Sequence, residues 1–378
     1  MIYFDNAATT FPKPPMVLDE MNRCMKKYCG NPGRSSHALS LRSSEKIYEA
    51  RQLLSDMFGC DVENIIFTYN TTYALNIAIK CFYKLSSHIL ISNLEHNSVL
   101  RPVHELSRTK LCTYDTFSAV GSDEEIIENI KKKITSNTSM LICTQVSNIC
   151  SKKLPIKEIG QLCRSKGIFF IVDGAQGAGL YPLNVKDMCI DALCIPSHKS
   201  LYGPQGLGVL ILGNDTLGRS FIEGGTGINS LELSMPEIYP ERYEAGTPST
   251  PAIAGLCGAL KWLSAVESDK ICRYEEELYS YLKNKLSDKE QIEIYQLDDS
   301  LGNTMIFNIK GLQSVYVSEE LNKHGICTRS GYHCAPLAHQ ALKVPEGGAV
   351  RVSFSVYNTK LEINTLCDAI DDITNKKK

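Results

Sequence analysis

Short, nearly continuous apolar runs alternate along this chain with segments whose apolar residues recur every three to four positions. "NIIFTYNTTYALNIAIKCF" (64–82) contains both patterns. Ile65–Thr68 reads as a strand, and Leu75, Ile79 and Phe82 then fall on one face of a helix. "HILISN" (88–93), "SMLICTQVSN" (139–148), "IFFIVDGAQ" (168–176), "ALCIPSH" (192–198) and "GVLIL" (208–212) repeat the theme. Such runs predict strands covered on both faces, hence a mostly parallel α/β sheet between helices.

In a sheet of that kind, ligands bind outside the carboxyl ends of the strands. The polar residues that follow each run therefore become candidates: Thr71 and Thr72, Glu95 and His96, Asn148, Asp173 and Gln176, and Ser197, His198 and Lys199. They are expected to converge on one crevice. Beyond about residue 260 the pattern changes. "DKICRYEEELYSYLKNKLSD" (269–288) and "VSEELNKHGI" (317–326) read as amphipathic helices. "NTMIFNI" (303–309) and "GAVRVSFS" (348–355) read as strands. The expected organisation is a large domain over 16–259 and a smaller α+β domain built from 1–15 and 260–378.

Composition narrows the partner class. With 40 Lys+Arg against 42 Asp+Glu, the formal charge of -2 gives no reason to expect nucleic acid or an anionic membrane. No run reaches the roughly 20 apolar residues of a membrane span, and "MIYFDNAATTFPKPP" lacks the order of a secretory signal. A cytoplasmic location and a small-molecule substrate are the expectation. The 15 cysteines are scattered without a disulfide or zinc-knuckle spacing, so most should be reduced and inert.

Two strand ends carry the chemistry. Asp173 closes "IFFIVD", and a carboxylate there calls for a cationic partner. Lys199 follows "ALCIPSH" and enters a loop with Gly203, Gly206 and Gly208. A lysine near a low-dielectric pocket loses its proton readily and can form a Schiff base with an aldehyde. An aspartate beside it suits the protonated ring nitrogen of pyridoxal phosphate. "NTTYALN" (70–76) offers hydroxyls and backbone N–H groups at a helix N-terminus, where an anion is favoured.

With these residues in view, the chain resembles the cysteine desulfurase and selenocysteine lyase family of class V aminotransferase-type enzymes. The resemblance runs nearly end to end, through "YFDNAATT" (3–10), "GNPGRSSH" (30–37), "TYNTTYALN" (68–76), "LEHNSV" (94–99), "QVSN" (145–148), "VDGAQ" (172–176), "SHKSLYGPQGLG" (197–208), "EAGTPST" (244–250), "RSGYHCAPLAH" (329–339) and "RVSFSVYNT" (351–359). It implies a fold-type-I transferase with a seven-stranded, mostly parallel sheet and a pyridoxal 5'-phosphate cofactor. Lys199 would be the Schiff-base lysine and Asp173 the ring-nitrogen partner. His96 would stack on the ring, and Asn148 and Gln176 would bond near the ring oxygen. Thr71, Thr72, Ser197 and His198 would hold the phosphate, with Thr247 reaching the phosphate of a neighbouring subunit in a homodimer. Arg351, which opens the strand 348–355, would grip the substrate carboxylate, while Asn6, Ala7 and Asn148 would line the substrate pocket. The turn containing Arg34 and His37 also reads as a plain loop.

"TRSGYHCAPLAHQ" (328–340) sets Cys334 between His333 and His339. Three metal ligands would lack the usual fourth, so no metal is expected. Cys334 instead sits in a Gly-containing turn, where a thiol should be exposed and open to activation. The resemblance implies that Lys199 removes the Cα proton of L-cysteine and that the Cys334 thiolate takes the sulfur as a persulfide, releasing alanine. A protein acceptor would then carry the sulfur away. Selenocysteine lyase activity on L-selenocysteine is the near alternative. An aminotransferase or a non-catalytic sulfur carrier is more distant. Two departures stand out: "ICSKKLP" (149–155) replaces a glycine-containing turn, and Tyr332 occupies a position that is often histidine.

Overall fold

The structure, a computed structural model, describes residues 1–33, 37–297 and 300–376, so Arg34 lies outside the described residues. After β1 (Ile2–Tyr3), helices α1 (Pro15–Lys27) and α2 (Ala38–Phe58) lead into β2 (Ile65–Thr68). The chain then alternates: α3 (Thr71–Phe82), β3 (Ser87–Ser92), α4 (Asn97–Arg108), β4 (Cys112–Phe117), α5 (Asp123–Lys133), β5 (Thr138–Thr144), α6 (Ile156–Lys166) and β6 (Phe169–Asp173). Strands β7 (Ala192–Pro196) and β8 (Gly208–Leu212) complete a seven-stranded sheet of order β2-β8-β7-β6-β5-β3-β4. β8 runs antiparallel to both its neighbours and every other pair is parallel. This is the α/β architecture expected from the apolar runs.

Local chemistry explains where the helices begin. Asn70 caps α3 by accepting the Tyr73 N–H at 2.9 Å, and Ser122 with Glu125 forms a reciprocal capping box on α5. The interior strands β3, β5 and β6 are buried along almost their whole length. Burial of each such Ile or Leu contributes roughly 1.5–3 kcal/mol. β4, absent from the strands expected above, is an edge strand with alternating exposure and a polar Thr-Tyr-Asp-Thr centre. Half its surface faces water, so it has no apolar run to betray it.

Helix α7 (Thr250–Val266) packs on α1 and α2, and α8 (Ser268–Ser287) follows. Next come β9 (Ile292–Tyr295), β10 (Thr304–Ile309), α9 (Ser314–Lys323), β11 (Ile326–Cys327), β12 (Arg329–Gly331), α10 (Pro336–Ala341), β13 (Ala349–Ser353) and α11 (Lys360–Asn375). A four-stranded sheet of order β12-β13-β10-β9 has its own apolar cluster with α8, α9 and α11, which Phe4 joins. β1 pairs with β11, and Asp5 bridges to Ser353. The N-terminal segment is thereby stitched to the C-terminal sheet beside the main sheet's carboxyl edge.

Candidate active site

Asn70, Thr71, Thr72, His96, Ser98, Thr144, Asn148, Asp173, Gln176, His198 and Lys199 line one cavity at the carboxyl ends of β2, β3, β5, β6 and β7. The strand-end candidates thus meet, with two exceptions. Glu95 turns away into the core, fully buried, where it accepts hydrogen bonds from the Ser92 hydroxyl and from the Thr144 N–H. Burial pushes its carboxyl up to about 8. The Ser197 hydroxyl is buried away from the lining residues and crowds Gly203, where an added Cβ would lie 2.1 Å from it.

At the floor, Asp173 accepts the Ala175 N–H at 2.9 Å, and burial raises its carboxyl above the usual range. Burial lowers the Lys199 ammonium to about 8, with Asp173 opposing and Arg351 and Arg329 adding to the fall. The Lys199 loop is held from behind. The His198 carbonyl accepts from Lys13 Nζ at 2.7 Å and from the Thr10 N–H at 3.1 Å, and the Thr10 hydroxyl lies 3.2 Å from both the His198 and the Lys199 carbonyls.

One wall is a chain of small polar groups. His96 Nδ1 meets the Ser98 hydroxyl at 2.8 Å, and that hydroxyl meets Thr72 Oγ1 at 2.8 Å. Burial, reinforced by Lys199, lowers His96 to about 4, so its ring is neutral. Thr71 Oγ1 and His198 Nδ1, on two of the lining residues, are buried without protein partners among the described residues. Native cores rarely leave such groups unsatisfied, so this end of the cavity is built to receive polar atoms of a ligand.

Arg351, at the centre of β13 rather than at its opening, is 2% exposed. Nη2 donates to Asp5 at 2.7 Å and Nη1 to the Asn148 carbonyl at 3.2 Å, while Nε is buried without a partner. Asp5 therefore occupies one tooth of the guanidinium fork. The Asn6 amide is spent on Ser353 O at 3.0 Å and on Asn358 at 3.1 Å, and Ala7 N donates to the Ser353 hydroxyl. Neither Asn6 nor Ala7 lines the cavity, although the Ala7 carbonyl accepts from Gln176 at 3.2 Å.

Cys334 stands at the mouth, exposed, with φ of 56° following φ of 50° at His333. Its carbonyl accepts the Asn97 N–H at 2.7 Å, and the His333 carbonyl accepts from Asn148 at 3.0 Å. His333 and His339 do not flank the sulfur as ligands. They stack 5.5 Å apart with Nδ1 of one 3.3 Å from Nε2 of the other, and His333 Nε2 donates to the Arg329 carbonyl. Burial lowers them to about 3 and about 4. His37 caps α2 through Ser40 N at 3.2 Å, and Thr247 is exposed in a separate groove with Gly225 and Gly246.

Asp5, Thr10, Lys13 and Arg329 were not legible as site residues. Asp5 and Arg351 lie at opposite ends of the chain, and no local pattern joins them.

A fold of this kind with a half-buried lysine and a buried aspartate at adjacent strand ends defines a class, and the aminotransferase class-V family model matches residues 2–366. The chain belongs to that family. It is 32% identical to a probable cysteine desulfurase of Pyrococcus abyssi, over 99% of this chain and 94% of that one. The apo structure of a cysteine desulfurase from Thermococcus onnurineus superposes with a TM-score of 0.91 at 30% identity, covering 99% and 95% of the two chains. The cysteine desulfurase CsdA (S-sulfonic acid) from Escherichia coli gives 0.87 at 26% identity, covering 98% and 94%.

Proposed function

We propose that this protein is a pyridoxal phosphate-dependent cysteine desulfurase that converts L-cysteine to L-alanine and receives the sulfur on Cys334. The observation that supports this most is that Lys199 and Asp173 share one cavity with Asn148, whose carbonyl accepts from Arg351 and whose amide holds the exposed cysteine loop through the His333 carbonyl. The near-full-length relatives named cysteine desulfurase favour cysteine over selenocysteine.

The residues fit the cofactor. Thr71, Thr72, Ser197 and His198 would hold its phosphate, and two of the cavity-lining residues among them, Thr71 and His198, carry unsatisfied polar atoms that such an anion would engage. Asp173 would face the ring nitrogen, His96 the ring, and Asn148 and Gln176 the ring oxygen. When bound, the cofactor supplies an electron sink that acidifies the Cα of an amino acid.

The chain's own groups do the rest. Lys199 Nζ, lowered to about 8, can take and return a proton near neutral pH. Arg351 Nε and its fork would hold the substrate carboxylate once Asp5 yields. The Cys334 thiolate attacks the substrate sulfur; the Cβ–S bond breaks as the S–S bond forms. The electron pair stays with the carbon skeleton, which takes up protons and leaves as alanine.

The same reading includes a homodimer in which Thr247 of each subunit reaches the other's site, a sulfur acceptor that comes to the mouth, and the domain division at residues 15 and 260. It also includes the cytoplasm, a reducing compartment that suits a chain whose 15 cysteines lack the spacing of a disulfide framework.

Product analysis with L-cysteine and L-selenocysteine, on parent and Cys334→Ala protein, tests the proposal. Alanine and a Cys334 persulfide are expected from L-cysteine, and the variant should lose about 100-fold or more in turnover with cysteine. Full cysteine turnover in the variant would refute it.

A further inference from the structure

At Cys334 the cavity opens into a groove of about 500 Å³ between α3 and α4. Thr72, Asn76 and Lys80 line it at four-residue steps along α3, and Asn97, Arg101 and Glu105 do so along α4. Lys80 and Arg101 have no ion pair among the described residues. Glu105, the one acid lining the groove, is already held by Arg108 through two hydrogen bonds of 2.8 and 2.7 Å. The groove thus carries two cations in no ion-pair contact among the described residues, beside an exposed thiol, and the chemistry described above uses neither.

We propose that this groove seats the sulfur acceptor, and that the acceptor is a low-molecular-weight thiol bearing one or more carboxylates in place of the protein acceptor that the resemblance implies. The inference rests on the desulfurase reading and names the substrate of its second half-reaction. A volume of this size suits a small molecule. Charge gives the selection. The acceptor thiolate attacks the outer sulfur of the Cys334 persulfide, so two anionic groups must approach each other, and cations beside the path offset the repulsion. A new S–S bond forms as the Sγ–S bond breaks. The electron pair returns to Cys334 Sγ as a thiolate, and the acceptor leaves as its own persulfide with no external oxidant or reductant.

Parent protein and the Lys80→Glu/Arg101→Glu variant would be loaded with L-cysteine in a single turnover and desalted. Loss of the persulfide mass on adding mercaptosuccinate, 2-mercaptoethanol or cysteamine is then followed. The ratio of variant to parent rate for each thiol cancels that thiol's own acidity. Discharge to mercaptosuccinate should saturate in the parent and slow by about 10-fold in the variant, while 2-mercaptoethanol changes by less than about 2-fold and cysteamine speeds up. Lys80→Gln/Arg101→Gln should give an intermediate loss and serves if the reversal does not fold. An equal change for all three thiols, or a mercaptosuccinate rate that rises linearly without saturation, would overturn the groove assignment and leave the desulfurase reading intact. Failure to load the persulfide at all would overturn that reading and this inference with it.

Discussion

At the sheet end of the cavity, Asp173 is almost wholly buried, with Glu95 buried in the core nearby, and burial lowers the Lys199 ammonium to about 8. At the mouth, Cys334 is exposed on a left-handed turn tied down by one backbone hydrogen bond to Asn97 and one side-chain bond to the His333 carbonyl. The contrast follows from what each end must do. Proton transfer gains from a dry, fixed electrostatic setting, because a charge in low dielectric acts strongly on its neighbours. A sulfur carrier has to meet both a buried substrate and an acceptor from solution, so it needs reach and access. Strand ends hold the first end in place, and an exposed turn presents the second to solvent.

The largest effect that would break this division is at Lys199. Lys199→Ala should lower cysteine turnover by about 1,000-fold or more while leaving the thermal unfolding transition near that of the parent. Steady-state alanine release and calorimetry measure the two. Turnover that persists within tenfold would move the proton chemistry out of the dry end.

A second test is mechanical. Gly208 opens β8 against Asn70, the cap of α3, and an added Cβ would lie 2.4 Å from the Asn70 carbonyl carbon and 2.7 Å from its Cα. Both are backbone atoms, so Gly208→Ala has to shift the start of α3 and with it Thr71. A loss of about 1–3 kcal/mol in stability is expected from overpacking. Binding of inorganic phosphate at the Thr71 end should weaken in parallel, as read by titration calorimetry. Unchanged phosphate binding with lost stability would separate the cup from the packing beneath it.

Acid and alkali should separate the two ends as well. His333 and His339 are lowered to about 3 and about 4, below the 6.5 of a free histidine. Between those values the unfolded chain binds more protons than the folded one. The stability they confer is present above pH 6.5 and is lost as pH falls towards 4, at up to about 1.4 kcal/mol per unit for each. Glu95 is raised from 4.5 to about 8, so its contribution is present below pH 4.5 and is lost as pH rises through 8. Hydrogen exchange corrected for intrinsic rates should show the Asn97 and Ala335 amides opening first in acid and the Thr144 amide first in alkali. The reverse order would contradict the assignment of neutral rings to the mouth.

Much of the dry end was legible in the chain, for a physical reason. A parallel sheet delivers the residues after each apolar run to one edge, so Thr71, His96, Asn148, Asp173 and Lys199 could be collected without knowing the strand order. The mouth was less legible. The spacing of His333, Cys334 and His339 is visible, but only the backbone path shows that the two rings stack on each other. Asp5 reaches Arg351 only because β1 pairs with β11, and Lys13 reaches His198 only through the turn after Thr10; neither contact leaves a periodic trace. Asn6 reads as a pocket residue, and the structure shows its amide donating to the Ser353 carbonyl and to Asn358, partners that no local pattern announces.

The smallest effect sharpens the comparison at Tyr332, which precedes His333 and Cys334 in the exposed turn. Its hydroxyl accepts the Gly347 N–H at 3.1 Å, and its ring stands edge-on to His339 at 5.4 Å. Tyr332 is 45% exposed, so when the hydroxyl is removed water can take over the Gly347 N–H. Tyr332→Phe should therefore cost less than about 1 kcal/mol, and cysteine turnover should stay within about 3-fold, because the ring contact that steadies the histidine pair is kept. Tyr332→Ala removes that contact too, and exchange of the Ala335 amide should rise in this variant but not in Tyr332→Phe. If Phe alone cut turnover tenfold, the hydroxyl would be acting on the sulfur chemistry itself. The mouth would then owe its reactivity to a placed proton donor rather than to access.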